Sequence, residues 1–150
     1  MRFQRVCLEL IGYCLPPQIV TSEEIERRLE PLYRRLRLPE GRLELITGVQ
    51  QRRFWDPGTM SGMESHRAAK LALEAANWDP SSIGALVHGS VCRDFLEPAT
   101  ACSIHHRLGL PPSCVLFDLS NACLGLLSGA LVIANMIELG QVKLPIRRDS

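Results

Sequence analysis

Apolar positions along the chain follow two rhythms: short continuous runs, and positions recurring every three or four residues. Residues 6–15 (VCLELIGYCL) form the first short run, which has strand character and stops at Pro16-Pro17. Ile25, Leu29, Leu32 and Leu36 then recur at helical spacing, with Arg27, Arg28, Arg34 and Arg35 on the other side. Thr21-Ser22-Glu23-Glu24 opens that helix as a capping box, and Pro31 predicts a kink or a split. Ser61-Gly62-Met63-Glu64 is a second capping box, opening a helix to about Asn77 whose alanines (68, 69, 72, 75, 76) suit close packing against a sheet. Asp79-Pro80-Ser81-Ser82 is a turn, and residues 83–91 read as a buried parallel strand. Pro98 is expected to start the next helix, reaching about Leu108, before Pro111-Pro112 breaks it. Val115–Leu119 reads as a second buried strand, and an apolar helix follows to Leu139, with Gly140 as its stop. Alternating helix and strand predict an α/β fold: a mostly parallel sheet with covered faces and a buried central helix.

Composition narrows the classes. At 150 residues the chain can bury about two thirds of its unfolded surface as one domain. With 46% hydrophobic and 22% charged residues it falls in the globular range, and a net charge of +1 gives no argument for nucleic acid or a membrane surface. Six cysteines (7, 14, 92, 102, 114, 123) show no metal-ligand spacing, and no secretory signal pattern opens the sequence. Reduced thiols in a cytoplasmic protein are expected. The apolar run 122–137 is too short for a membrane span, contains two glycines and ends at Glu138.

Candidate chemistry centres on Cys123. It sits where a strand hands over through a Ser-Asn-Ala turn to the first turn of a helix. Unpaired N–H groups and the positive end of the helix dipole favour a thiolate there, so the cysteine can serve as a nucleophile without a metal. The competing reading is a small buried apolar residue. Glu97 is a second candidate, in the loop after the 83–91 strand, where open α/β sheets place their ligands. A carboxylate beside Pro98 can equally be a plain helix N-terminal acid. The histidines are weaker candidates. His105 and His106 are adjacent and do not share a helix face, His88 reads as a satisfied buried histidine, and His66 is expected on an exposed part of its helix. No metal site is expected. The arginines at 27, 28, 34 and 35 read first as a solvated helix face.

The segment Asp118-Leu119-Ser120-Asn121-Ala122-Cys123-Leu124-Gly125 resembles the active-site turn of the thiolase superfamily, within its 3-oxoacyl-ACP synthase III branch. Thr47-Gly48-Val49-Gln50-Gln51-Arg52-Arg53 resembles a segment near the coenzyme A entrance of the same family. Ile46 and Arg42 stand where the family commonly has its adenine-gripping arginine and tryptophan, so no nucleotide contact is carried over. The resemblance implies that Cys123 takes an acyl group from a thioester and holds it for a Claisen condensation. The segment 90–100 (SVCRDFLEPAT) looks like a loop of the olefin-biosynthesis condensing enzymes, which join two acyl chains head to head. By that resemblance Glu97 is the base that takes the α-proton, reaching the neighbouring subunit's active site across a homodimer. The chemistry agrees. A malonyl donor makes its carbanion by losing carbon dioxide, whereas a simple acyl thioester must lose a proton to a positioned carboxylate with a raised pKa. The oxyanions need N–H donors such as the backbone N–H of Cys123.

The resemblance runs from about Phe3 to Lys143 and covers the family's N-terminal half only. Residues 1–143 are therefore expected to be an incomplete thiolase-like domain, and 144–150 (LPIRRDS) an atypical tail marking a truncation. The family's catalytic His and Asn come from the other half. Coenzyme A enters as the substrate carrier, with no resident cofactor, and acyl-CoA or acyl-ACP is the expected partner. Two alternatives stand beside the acyl-CoA condensation: a fatty-acid-initiating synthase using malonyl-ACP, and a non-catalytic remnant that pairs with a full-length condensing subunit.

Overall fold

The computed structural model describes residues 2–142, so the 144–150 tail lies outside the described residues. In order, the elements are β1 (Gln18–Thr21), α1 (Ser22–Arg28), α2 (Glu30–Leu36), α3 (Arg42–Thr47), β2 (Gln51–Phe54), α4 (Ser61–Ala76), β3 (Ala85–Gly89), α5 (Thr100–Leu108), β4 (Val115–Leu119) and α6 (Gly125–Glu138). They divide into two units, 15–59 and the remainder.

In the smaller unit β1 and β2 pair antiparallel, with Val20 opposite Arg52. Half of the Thr21 box forms: Thr21 Oγ1 accepts from Glu24 N at 3.0 Å, while the Glu24 carboxylate turns to Arg28. Pro31 falls in the first turn of α2 and splits the helix from α1 at Leu29. The arginines lie along exposed helix faces, where Arg28 pairs with Glu24 and Arg34 with Glu30 one turn away. Glu26 is the buried exception. Its carboxylate accepts from Leu43 N (2.6 Å), Gly41 N (2.8 Å) and Tyr33 Oη (3.0 Å), tying α1 to the chain that leads into α3.

The larger unit is built on a parallel β3–β4 pair with Leu86 opposite Leu116 and His88 opposite Asp118. Alternation along a strand sends Val87 and Gly89 to one face, Leu86 and His88 to the other. Helix α6 takes the Val87 face, where a Cβ on Gly129 would meet Val87 Cγ1 at 3.2 Å. Helix α5, the crossover between the strands, takes the opposite face and is capped there by Asp118. Ala101, Ile104, Leu110, Cys114 and Ala134 are among the buried residues of this unit.

Several expectations change. Residues 6–15 form no ladder. They run over α4 instead, with Gly12 so close to Ala68 O and the Ala72 Cβ that no side chain fits between them. Ala68 and Ala72 of α4 thus pack closely against this segment. The Ser61 capping box does not form: Met60 is the cap position, and Asp94 Oδ1 from a distant loop accepts from Gly62 N at 2.9 Å. Glu64 turns to Arg67, 2.8 Å away. Pro98 does not begin α5, which starts at Thr100. β4 is half-buried, and the buried residues of α6 are Gly125, Gly129 and Ala134. Leu126 is 76% and Leu127 62% exposed, so the expected buried central helix is buried only in part. Among the described residues the sheet pairings are one parallel and one antiparallel. No helix among the described residues is long and apolar enough to cross a membrane.

Candidate active site

Both candidate residues leave the carboxyl end of the same parallel ladder. Ser90 N donates to Leu119 O at 3.3 Å, closing the ladder one step beyond Gly89. From there the chain runs through the loop 90–99, which carries Glu97, and from Leu119 it runs through the turn that carries Cys123. This is the end at which open α/β sheets place their ligands.

The Cys123 turn is tight. Ala122 has φ of 43°, a left-handed conformation costly for a residue with a Cβ. Leu124 N donates to Asn121 O at 2.9 Å, and Gly125 N donates to Ala122 O. These bonds close a short 3-10 turn, Ala122–Leu124, placing Cys123 just before α6 rather than within its first turn. They are made by Leu124 and Gly125, leaving the Cys123 N–H outside the turn's own bonds. Asn121 Nδ2 donates to Ser128 Oγ at 2.8 Å, fastening the turn to the first turn of α6. The thiol of Cys123 is exposed, which removes the buried apolar reading for this residue.

The turn is brought to the end of β3 by glycine. A Cβ on Gly89 would stand 2.7 Å from the carbonyl carbon and oxygen of Gly125, so the two backbones touch only because both residues lack one. Cys123 lies two residues before this contact and the Glu97 loop begins directly after it.

Glu97 is exposed near the tip of its loop, between exposed Leu96 and Pro98, with no hydrogen bond or ion pair to the described residues. The loop is held at its ends. Asp94 N donates to Thr100 Oγ1 at 3.2 Å, Cys92 N donates to Ser90 Oγ at 3.0 Å, and Ser61 Oγ reaches Cys92 O at 3.1 Å.

Sequence reasoning passed over Asp118, although an acid amid an apolar strand is a visible signal. Its Oδ2 accepts from Thr100 N and its Oδ1 from Ala101 N, both at 2.8 Å. His88, buried as expected, has Nδ1 3.7 Å from Asp118 Oδ1. His66 is not exposed: its Nδ1 is buried without a partner. His105 Nε2 bonds with Pro111 O at 3.1 Å. No group of three or more His, Cys, Asp or Glu among the described residues is placed to hold a metal ion. Arg52 and Arg53 of the Thr47–Arg53 segment are engaged locally, by Ser22 Oγ (3.3 Å) and Pro16 O (3.0 Å).

No family model matches the chain. It is 46% identical over 143 residues to the acyl-CoA:acyl-CoA alkyltransferase of Shewanella oneidensis, covering 95% of this chain and 41% of that protein. Over 132 residues it is 33% identical to the beta-ketoacyl-[acyl-carrier-protein] synthase III of Alkalilimnicola ehrlichii, covering 88% and 39%. Its fold matches cerulenin-bound Xanthomonas campestris OleA with a TM-score of 0.87 at 37% identity, over 93% of this chain and 41% of that one. In sequence and fold the chain is similar to proteins of the 3-oxoacyl-ACP synthase III branch of the thiolase superfamily. It spans about two fifths of the length of the curated relatives it matches.

Proposed function

We propose that this chain carries the nucleophile and the base of an acyl-CoA condensation. The Cys123 sulfur attacks an acyl-CoA carbonyl, coenzyme A leaves as the thiol, and the acyl group stays on Cys123. Glu97 removes the α-proton of a second acyl thioester, serving the site of a second copy across a homodimer interface. The carbanion displaces the Cys123 sulfur and gives a 3-oxoacyl thioester. The Cys123 N–H, free of the turn's own bonds, is one donor for the oxyanion. No resident cofactor takes part, and coenzyme A enters with the substrate. The setting in this reading is cytoplasmic lipid synthesis.

One observation carries the assignment. In Xanthomonas campestris OleA, solved variants replace one glutamate and one cysteine, and these are separated by the same number of residues as Glu97 and Cys123. The alternative donor, malonyl-ACP, is favoured by the synthase III relatives and predicts carbon dioxide release without need of Glu97.

Intact-mass analysis after incubation with a long-chain acyl-CoA tests the first step. A single acyl adduct, absent in Cys123→Ala, supports the nucleophile. No adduct on a folded chain rejects catalysis by this chain and leaves it a binding partner of a full-length condensing subunit.

A further inference from the structure

A buried relay runs through the larger unit beside the site. Thr100, only 1% exposed, lies at its centre. Its backbone N–H donates to Asp118 on β4, and its Oγ1 accepts from the backbone N–H of Asp94 in the loop. Asp94 continues the relay, its Oδ1 accepting from Gly62 N at the start of α4 and lying 3.3 Å from Ser61 Oγ. The two helices that flank the loop are thus capped by carboxylates from outside themselves.

Local capping would have been simpler. A Ser, Thr, Asn or Asp at position 99 would satisfy the first N–H groups of α5, but the residue there is Ala99, which has no side-chain acceptor. Supplying the cap from Asp118 turns a helix cap into a tie between the end of the Glu97 loop and the strand that leads, five positions on, to Cys123. Between the anchors at Asp94 and Thr100 the tip projects, with Phe95 56% and Leu96 86% exposed. Where Glu97 stands is therefore set by its anchors and not by packing of the tip.

We propose that Asp118 is a positioning residue for the condensation: acting through Thr100 and Asp94, it fixes the base loop to the strand that carries the nucleophile turn. The proposal rests on the reading of Glu97 as base and Cys123 as nucleophile. Thr100 is the place to cut the relay, because Thr100→Val keeps the shape of the side chain and removes only the oxygen that receives Asp94 N–H. Thr100→Ser restores that oxygen.

Three readouts on the full 150-residue chain separate the outcomes: Cys123 acylation by intact mass, deuterium uptake at the α-carbon of an acyl-CoA in heavy water, and amide exchange across 94–99. In Thr100→Val, acylation is expected to stay near wild type. Deuterium uptake should fall about 10²-fold, as expected for a base misplaced by roughly 1 Å. Amide exchange at Asp94 should rise about tenfold with loss of its hydrogen bond, and Thr100→Ser should recover both. A fall in acylation equal to the fall in uptake, with broad loss of amide protection, would mean general unfolding and overturn the proposal. If the wild-type chain takes up neither acyl group nor deuterium, the functional reading fails by itself. Amide exchange then decides the tether: unchanged exchange at Asp94 in Thr100→Val overturns it.

Discussion

Gly89 and Gly125 meet backbone to backbone, at the point where the strand before the Glu97 loop touches the helix after the Cys123 turn. The atoms a Cβ at Gly89 would strike belong to the main chain of α6, which has no side chain to swing aside. Gly89→Ala should therefore destabilise the larger unit by about 1–3 kcal/mol, the usual range for overpacking. Gly129→Ala should cost less, since its Cβ would meet Val87 Cγ1 at 3.2 Å and that side chain can yield slightly. Denaturant unfolding of the two variants checks the order.

Glu97→Gln should leave Cys123 acylation within about twofold of wild type and abolish α-deuterium uptake, because an amide of similar shape cannot accept the proton. Intact mass and heavy-water exchange read the two steps separately. Equal loss of both would assign Glu97 a role in folding instead.

The smaller unit should loosen in acid through Glu26. Hydrogen bonds from the Leu43 and Gly41 backbones and from Tyr33 hold its carboxyl below the usual 4.5, against the opposing effect of burial. A folded-state pKa below the unfolded one contributes stability that is complete above about 4.5 and is lost as pH falls through the lowered value. Amide protection at Gly41 and Leu43 should therefore fall on acidification below pH 4.5. In Glu26→Gln, protection at these amides should be weaker at neutral pH and lose that acid dependence.

Cysteine reactivity should divide by environment. Burial raises the Cys14 and Cys114 thiols above 9.0, and at Cys14 the neighbouring Glu64 carboxylate adds to the effect. At pH 8 both should alkylate more slowly than exposed Cys7, Cys92 and Cys123, as peptide mapping after timed iodoacetamide treatment would show. Glu64→Gln should speed Cys14 without altering Cys114.

What the sequence made legible was local. The Thr21 cap, the split at Pro31, the stop at Gly140 and the cysteine between strand and helix each depend on residues within a few positions of one another. The expectations that failed were those a distant group decided. Ser61 and Glu64 have the letters of a capping box, but Asp94, thirty-odd positions away, holds the helix start more directly. Pro98 has the letter of a first helical residue, yet the helix begins where Asp118 can reach it. Residues 6–15 have strand propensity without a strand to pair with, and α4 offers them a groove at Ala68 and Ala72 instead. The apolar stretch after Cys123 announced a buried helix, but hydrophobicity states what a face prefers and not whether this chain contains enough to cover it. Of the candidate site, Cys123 and Glu97 could be singled out beforehand. The Gly89–Gly125 contact and the Asp118 relay could not, since both exist only once β3, β4 and their helices are assembled.

The capping pattern also divides the electrostatics of the larger unit. At α4 and α5 the positive end of the backbone dipole already faces a built-in carboxylate, from Asp94 and Asp118. Among the described residues helix α6 has no side-chain cap and no acid in its first turn. Of these three helices it alone presents its field undiluted, and it does so beside Cys123. Negative charge forming at that turn meets the one helix end whose field no internal anion already offsets.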